Sequence, residues 1–138
     1  MFEHLRADDA ALVGRHALAE RVCVALAYAG VRARPGPGAP VEGGAEVEID
    51  AGNDEAGGVY VRWTPSPELS KAVRDSLIAG RTHDPVVDLY GSVSLSMRDA
   101  LIDVLRHSGF RVLAVNDSGG EPTILVLGST AEAEGAKV

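Results

Sequence analysis

Residue types that could carry chemistry are sparse in this chain. It has four histidines (His4, His16, His83 and His107) and one cysteine, Cys23. Only one stretch gathers acid–base groups: His83-Asp84, followed by Asp88 and Tyr90. As a catalytic set, His83 would act as base, Asp88 would orient it, and Asp84 would stand beside it. The same residue types are common in connections between helices, where short polar side chains satisfy turn backbone. No histidine pair has metal-ligand spacing, and one thiolate cannot build a zinc site, so neither metal nor cofactor is expected. No nucleophile elbow, dinucleotide fingerprint or zinc-peptidase helix is present. Cys23 falls in the middle of a helical pattern, away from any helix N-terminus, and reads as a small buried hydrophobe rather than a reactive thiolate. The run Pro35-Gly36-Pro37-Gly38 looks like a phosphate cradle only superficially. Glu42 stands where a P-loop needs Lys and Ser/Thr, and a strand follows instead of a helix.

The second candidate is a surface. Glu46, Glu48 and Asp50 alternate with Val47 and Ile49, and Tyr60 and Arg62 alternate with Val59, Val61 and Trp63. Paired as a hairpin, the two runs place Glu46, Glu48, Asp50, Tyr60 and Arg62 on one face as a candidate binding surface, with Arg62 able to reach Glu46 or Glu48 across the ladder. The valines, Ile49 and Trp63 form the opposite, structural face. The chain carries a net charge of −7, and Glu42, Glu46, Glu48, Asp50, Asp54 and Glu55 lie between Arg34 and Arg62 without an intervening base. Removing these acids leaves the remainder near neutrality, so the acidic surface belongs to the hairpin and its loops. This balance argues against binding a nucleic-acid backbone, which needs a basic footprint. Asp50, Asn53, Asp54 and Glu55 offer oxygens but lack the spacing of a calcium loop.

The elements that must position these residues can be read from periodicity. A helix from Asp8 or Asp9 to about Ala29 carries the stripe Leu18, Val22, Ala25, Leu26 and Ala29, with Gly30 as its stop. Val31–Arg34 is a short strand. After the hairpin, Ser66-Pro67-Glu68 starts a second helix carrying Leu69, Ala72, Val73, Ser76 and Leu77, which ends near Gly80. Residues 86–95 are ambiguous between strand, loop and helix. A loop with a short helical turn is expected there, with the third helix starting at Ser94 to Ser96, where Ser96 and Asp99 make a partial capping box. Met97, Ala100, Leu101, Val104 and Leu105 form its stripe, and Gly109 its stop. Phe110–Val115 and Thr123–Leu127 are strands apolar on both faces, the pattern of strands buried on both sides. The two halves echo each other as helix, glycine, strand, turn, strand.

The expected fold is α+β: an antiparallel sheet of four to five strands with three helices, in the order α-β-β-β-α-α-β-β, forming one domain over residues 1–128 with a flexible tail over 129–138. This order resembles that of small α+β domains of secretion-chaperone type, a likeness of plan that transfers no residues and no function. No apolar run reaches the length of a membrane span, no leader pattern opens the chain, and the lone cysteine suits a reducing compartment, so cytoplasmic placement without membrane association is expected. Three readings of function follow. The first is a non-enzymatic protein-binding or regulatory module, a homodimer with a further basic protein partner. Its basis is that a second sheet face left bare by the helices must be covered by something. The others are a small enzyme built on His83, Asp84 and Asp88, and a small-ligand-binding domain.

Overall fold

The structure, a computed structural model, describes residues 9–36, 43–49 and 58–130. Its elements in chain order are α1 (Asp9–Tyr28), β1 (Ala33–Pro35), β2 (Gly44–Ile49), β3 (Val59–Thr64), α2 (Pro67–Ile78), α3 (Pro85–His107), β4 (Phe110–Asn116) and β5 (Pro122–Ser129). The order of helices and strands is the one expected. The five strands form one sheet, ordered β1-β2-β3-β5-β4.

The sheet is mixed, which corrects the expectation of a purely antiparallel one. β2–β3, β3–β5 and β5–β4 are antiparallel, but β1 runs parallel to β2, with Ala33, Arg34 and Pro35 beside Ala45, Glu46 and Val47. Ala45 donates its N–H to the Arg32 carbonyl at 2.8 Å, and Gly36 donates to the Val47 carbonyl at 2.6 Å. Strands close in sequence suggest a hairpin, but β1 is three residues long. That is only about 10 Å of strand, so the eight residues 36–43 are long enough to span the return. The parallel pair also limits the internal echo: α1 and α3 each feed a strand through glycine, but β5 runs antiparallel to β4.

Helix ends follow their sequence signals. Gly30 has φ +83°, Gly30 donates to the Ala27 carbonyl at 3.0 Å, and Val31 donates to that of Leu26 at 2.9 Å. This pair of bonds satisfies the last-turn carbonyls and turns the chain into β1. Ser66 caps α2, accepting from the Leu69 N–H at 3.3 Å.

The third helix corrects the reading of residues 86–95. α3 is continuous for 23 residues. Its start is Asp84-Pro85: the Asp84 carboxylate accepts from the Val86 N–H at 3.0 Å, and Pro85 takes the first turn, where a missing N–H costs nothing. Ser96 and Asp99 therefore lie mid-helix. The apparent alternation from Val87 to Leu95 belongs to a helix face on which Leu89 and Leu95 are exposed.

One core forms between the helices and one face of the sheet. Leu18, Ala19, Val22, Ala25 and Leu26 of α1 and Leu101, Ile102 and Leu105 of α3 pack on Ala45, Val47, Val59, Val61, Ile124, Val126, Phe110 and Val112. The expected structural face of the hairpin is thus in place, with Ile49 and Trp63 partly buried beside it. Ala29 and Ala100, expected on the helix stripes, are exposed. α1 lies over β1 and β2, α3 over β3, β5 and β4, and α2 against α3. Of the two strands expected to be buried on both sides, β5 is: Ile124 and Val126 are buried on the core face and Thr123 and Leu125 on the other. β4 is an edge, and its Leu113 and Ala114 are exposed. Among the described residues no helix is long and apolar enough to cross a membrane. β5 extends to Ser129, and the rest of the expected tail lies outside the described residues.

Candidate functional site

The register assembles, row by row, the sheet face opposite α1 and α3. Glu48 pairs with Tyr60, Tyr60 with Leu125 and Leu125 with Leu113, so one row crosses four strands and grades from acid to exposed leucine. In the next row Arg34 pairs with Glu46 and Glu46 with Arg62, while Thr123 pairs with Val115. Four of the five residues expected on this surface, Glu46, Glu48, Tyr60 and Arg62, therefore share a face. Asp50 lies outside the described residues.

Two details differ from the expected wet face. Glu46 is only 7% exposed. Its Oε1 lies where a side chain on Gly36 would come within 3.0 Å, so the backbone leaving β1 closes over it. Arg62 faces Glu46 in the register, but its Nη2 makes an ion pair with Asp117 Oδ2 at 2.9 Å, in the turn after β4. To do so the side chain crosses β5 in the row of Thr123, which is buried.

Asp117 completes this arrangement and is not among the residues expected on the surface. Its Oδ1 accepts the N–H groups of Gly119 at 2.8 Å and Glu121 at 2.9 Å. The backbone bond from Glu121 foremost, with that from Gly119 and the Arg62 charge, holds this carboxyl below the usual carboxylate range. The signal was present as Asp117-Ser118-Gly119-Gly120, an Asx-type turn, but nothing in the sequence ties that turn to Arg62.

Arg62 and Asp117 border two hollows. One, of about 430 Å³, lies on the face opposite α1 and α3 and is lined also by Glu48, Ile49, Tyr60, Asn116, Ser118 and Thr123. The other, of about 360 Å³, sits at the strand ends under α2 and α3, lined also by Glu46, Trp63, Thr64, Ser70, Tyr90, Ser94, Glu121 and Pro122. α3 reaches it because 23 residues of helix extend roughly 34 Å, well beyond the strands. Burial pushes the Tyr90 phenol up, Glu121 adds to this and Arg62 opposes it, so at neutral pH Tyr90 is a protonated donor and not a base. The side-chain nitrogens Arg62 Nε and Trp63 Nε1 are buried without a hydrogen-bond acceptor from the described residues.

The alternative set around His83 does not converge. His83 is exposed in the α2–α3 connection, and Asp88 is exposed in the first turn of α3. Asp84 is occupied as a cap: besides Val86, it accepts the Ser76 hydroxyl at 3.0 Å and lies 3.6 Å from Arg81 Nε. The Val86 and Ser76 hydrogen bonds hold its carboxyl below the usual range. No hydrogen bond or ion pair joins His83 to Asp84 or Asp88, and Tyr90 lines the second hollow instead. Among the described residues no cluster of His, Cys, Asp and Glu could hold a metal ion. Comparison of the chain with protein-family models, with curated proteins and with solved structures finds no match.

Proposed function

We propose that this protein is a non-catalytic binding module that takes a basic segment of a partner protein on the sheet face opposite α1 and α3. The observation that carries this reading is the row in which Glu48 and Tyr60, part-exposed, and Leu113, exposed, flank the buried Leu125, beside the hollow of about 430 Å³. Arg62, the basic residue lining that hollow, is neutralised by Asp117, which among the described residues leaves Glu48 as the uncompensated charge in its lining. A partner with a Lys or Arg at the acidic end and an apolar residue over Leu113 matches both the charge and the burial on offer.

The test is binding of synthetic peptides that alternate basic and apolar residues, followed through Trp63, the only tryptophan. Binding is expected to weaken with salt, to fall about tenfold or more in Glu48→Lys, and to be absent for the same peptides with Glu in place of the bases. Peptides that bind Glu48→Lys as well as the parent protein sink the reading.

A specific observation also favours small-ligand binding. Two buried donors, Arg62 Nε and Trp63 Nε1, lack acceptors from the described residues, and both side chains line the second hollow. Buried N–H groups are nearly always paired, with protein, water or ligand. A ligand offering carboxylate or carbonyl oxygens there would raise the melting temperature and perturb Trp63 fluorescence in the parent but not in Trp63→Phe.

A further inference from the structure

The two edges of the sheet are built differently. β1 is three residues long, carries Arg34 and ends in Pro35. Short length, charge and proline are how edge strands avoid pairing with other chains. β4, the other edge, shares only the charge. It runs seven residues, FRVLAVN, with one charge and no proline. Leu113, its central residue, is 48% exposed.

Its free backbone groups can be located. The Gly109 carbonyl accepts from the Thr130 N–H at 2.7 Å and the Asp117 N–H donates to the Glu121 carbonyl at 2.9 Å, so both ends turn odd-numbered residues toward β5. Antiparallel pairing alternates, so Phe110, Val112, Ala114 and Asn116 turn their N–H and C=O groups outward. The one register shift in this pair, where Arg111 faces Gly128 and Val112 faces Val126, places the extra residue, Leu127, on β5 and leaves the alternation of β4 intact.

We infer that β4 pairs with β4 of a second copy, antiparallel about a two-fold axis at Leu113, to make a continuous ten-stranded sheet. The strand is self-complementary about this centre. Leu113 meets Leu113 of the second copy as a non-hydrogen-bonded pair, Val112 bonds to Ala114, and Phe110 bonds to Asn116. The exposed leucine is covered by its twin. The one charge, Arg111, meets Val115 of the second copy and not another arginine, and lies one diagonal step from Asp117 of that copy. The axis stands perpendicular to the sheet, so both helix layers fall on one side. The two faces opposite α1 and α3 join into a single surface. The inference rests on the edge alone and stands whether or not that face binds a basic partner.

The experiment is sedimentation of the purified chain over a wide concentration series, with three variants. The parent is expected to sediment at twice its 14.4 kDa mass. Ala114→Pro removes an outward N–H without touching the β5 ladder, and is expected to weaken the dimer by about tenfold or more. With Cys23→Ser as background, Leu113→Cys should form a covalent dimer on mild oxidation, because its twin lies directly opposite. Val115→Cys should not, because its twin is offset by four residues, about 13 Å, too far for a disulfide. Folding of each variant is checked by circular dichroism. A parent that remains at the monomer mass at every concentration overturns the inference. So does a dimer indifferent to Ala114→Pro, or one that cross-links at Val115→Cys and not at Leu113→Cys.

Discussion

Arg62 Nη2 lies 2.9 Å from Asp117 Oδ2, and the two side chains border two hollows. The pair bridges β3 to the turn after β4 across the intervening β5. Asp117 does more than neutralise Arg62, since its other oxygen organises the turn through Gly119 and Glu121. An Asn at this position keeps an acceptor for both N–H groups and loses only the charge. Thermal unfolding should therefore rank Asp117→Ala below Asp117→Asn, with the alanine variant several degrees under the parent. Equal melting temperatures for the two would show that the turn does not depend on this oxygen.

The same carboxylates set the acid limit of stability. Asp84 and Asp117 have folded pKa values below the ordinary carboxylate value, through the hydrogen bonds from Val86 and Ser76 and from Glu121 and Gly119. A depressed folded pKa contributes stability above the unfolded value of about 3.9, and that contribution is lost as pH falls through the folded value. Urea midpoints should hold near neutrality and decline below about pH 4. Asp84→Asn and Asp117→Asn should each flatten that decline. An acid limb identical in both variants and the parent would refute these assignments.

Core and surface apolar residues differ sharply in what they contribute. Leu26 of α1 is fully buried between the helices and the sheet, whereas Ile78, the last residue of α2, is 79% exposed. Leu26→Ala should cost about 2–5 kcal/mol, from lost transfer energy and the cavity left behind. Ile78→Ala should stay within about 0.5 kcal/mol of the parent. Denaturant unfolding separates the two, and comparable losses would place the core elsewhere.

How much of this was legible follows the physics of each signal. Local signals survived: Ser66-Pro67, Gly30 and Gly80 end or start helices where expected, because caps depend on a few neighbouring residues. The hairpin faces were readable because alternation with period two separates Val47, Val59 and Val61 from Glu48 and Tyr60. The start of α3 differs from the expected Ser94 to Ser96 because the alternation of Val87, Leu89, Val93 and Leu95 imitates a strand, whereas the stronger signal is the cap Asp84-Pro85. Non-local relations left no local trace. Neither the parallel pairing of β1, nor the burial of Glu46 under Gly36, nor the reach of Arg62 to Asp117 follows from neighbouring residues. Each depends on the order in which strands enter the sheet.

Two glycines test the corrected account of the chain. Gly91 lies in the exposed middle of α3, with nothing within 4 Å of an added Cβ. In a continuous helix Gly91→Ala should stabilise by about 0.5–1 kcal/mol, since glycine loses more backbone freedom there. Gly44 is the opposite case: φ is +114°, and an added Cβ would meet the Arg32 carbonyl oxygen at 2.5 Å. Gly44→Ala should be clearly destabilising, because it forces β1 away from β2. A Gly91→Ala variant less stable than the parent would argue that residues 86–95 are not helical in solution.

Cys23 supplies a chemical probe of α1. It is partly buried against the core. Burial pushes its thiol up, and the Glu20 carboxylate adds to this, so little thiolate exists at neutral pH. Reaction with a chromogenic disulfide reagent at pH 8 should be markedly slower than for an unstructured cysteine. It should quicken modestly in Glu20→Gln, where the repelling charge is gone, and reach the rate of a free thiol only in denaturant. A folded protein that reacts as fast as its unfolded form would mean that Cys23 is not shielded by the packing of α1 on the sheet.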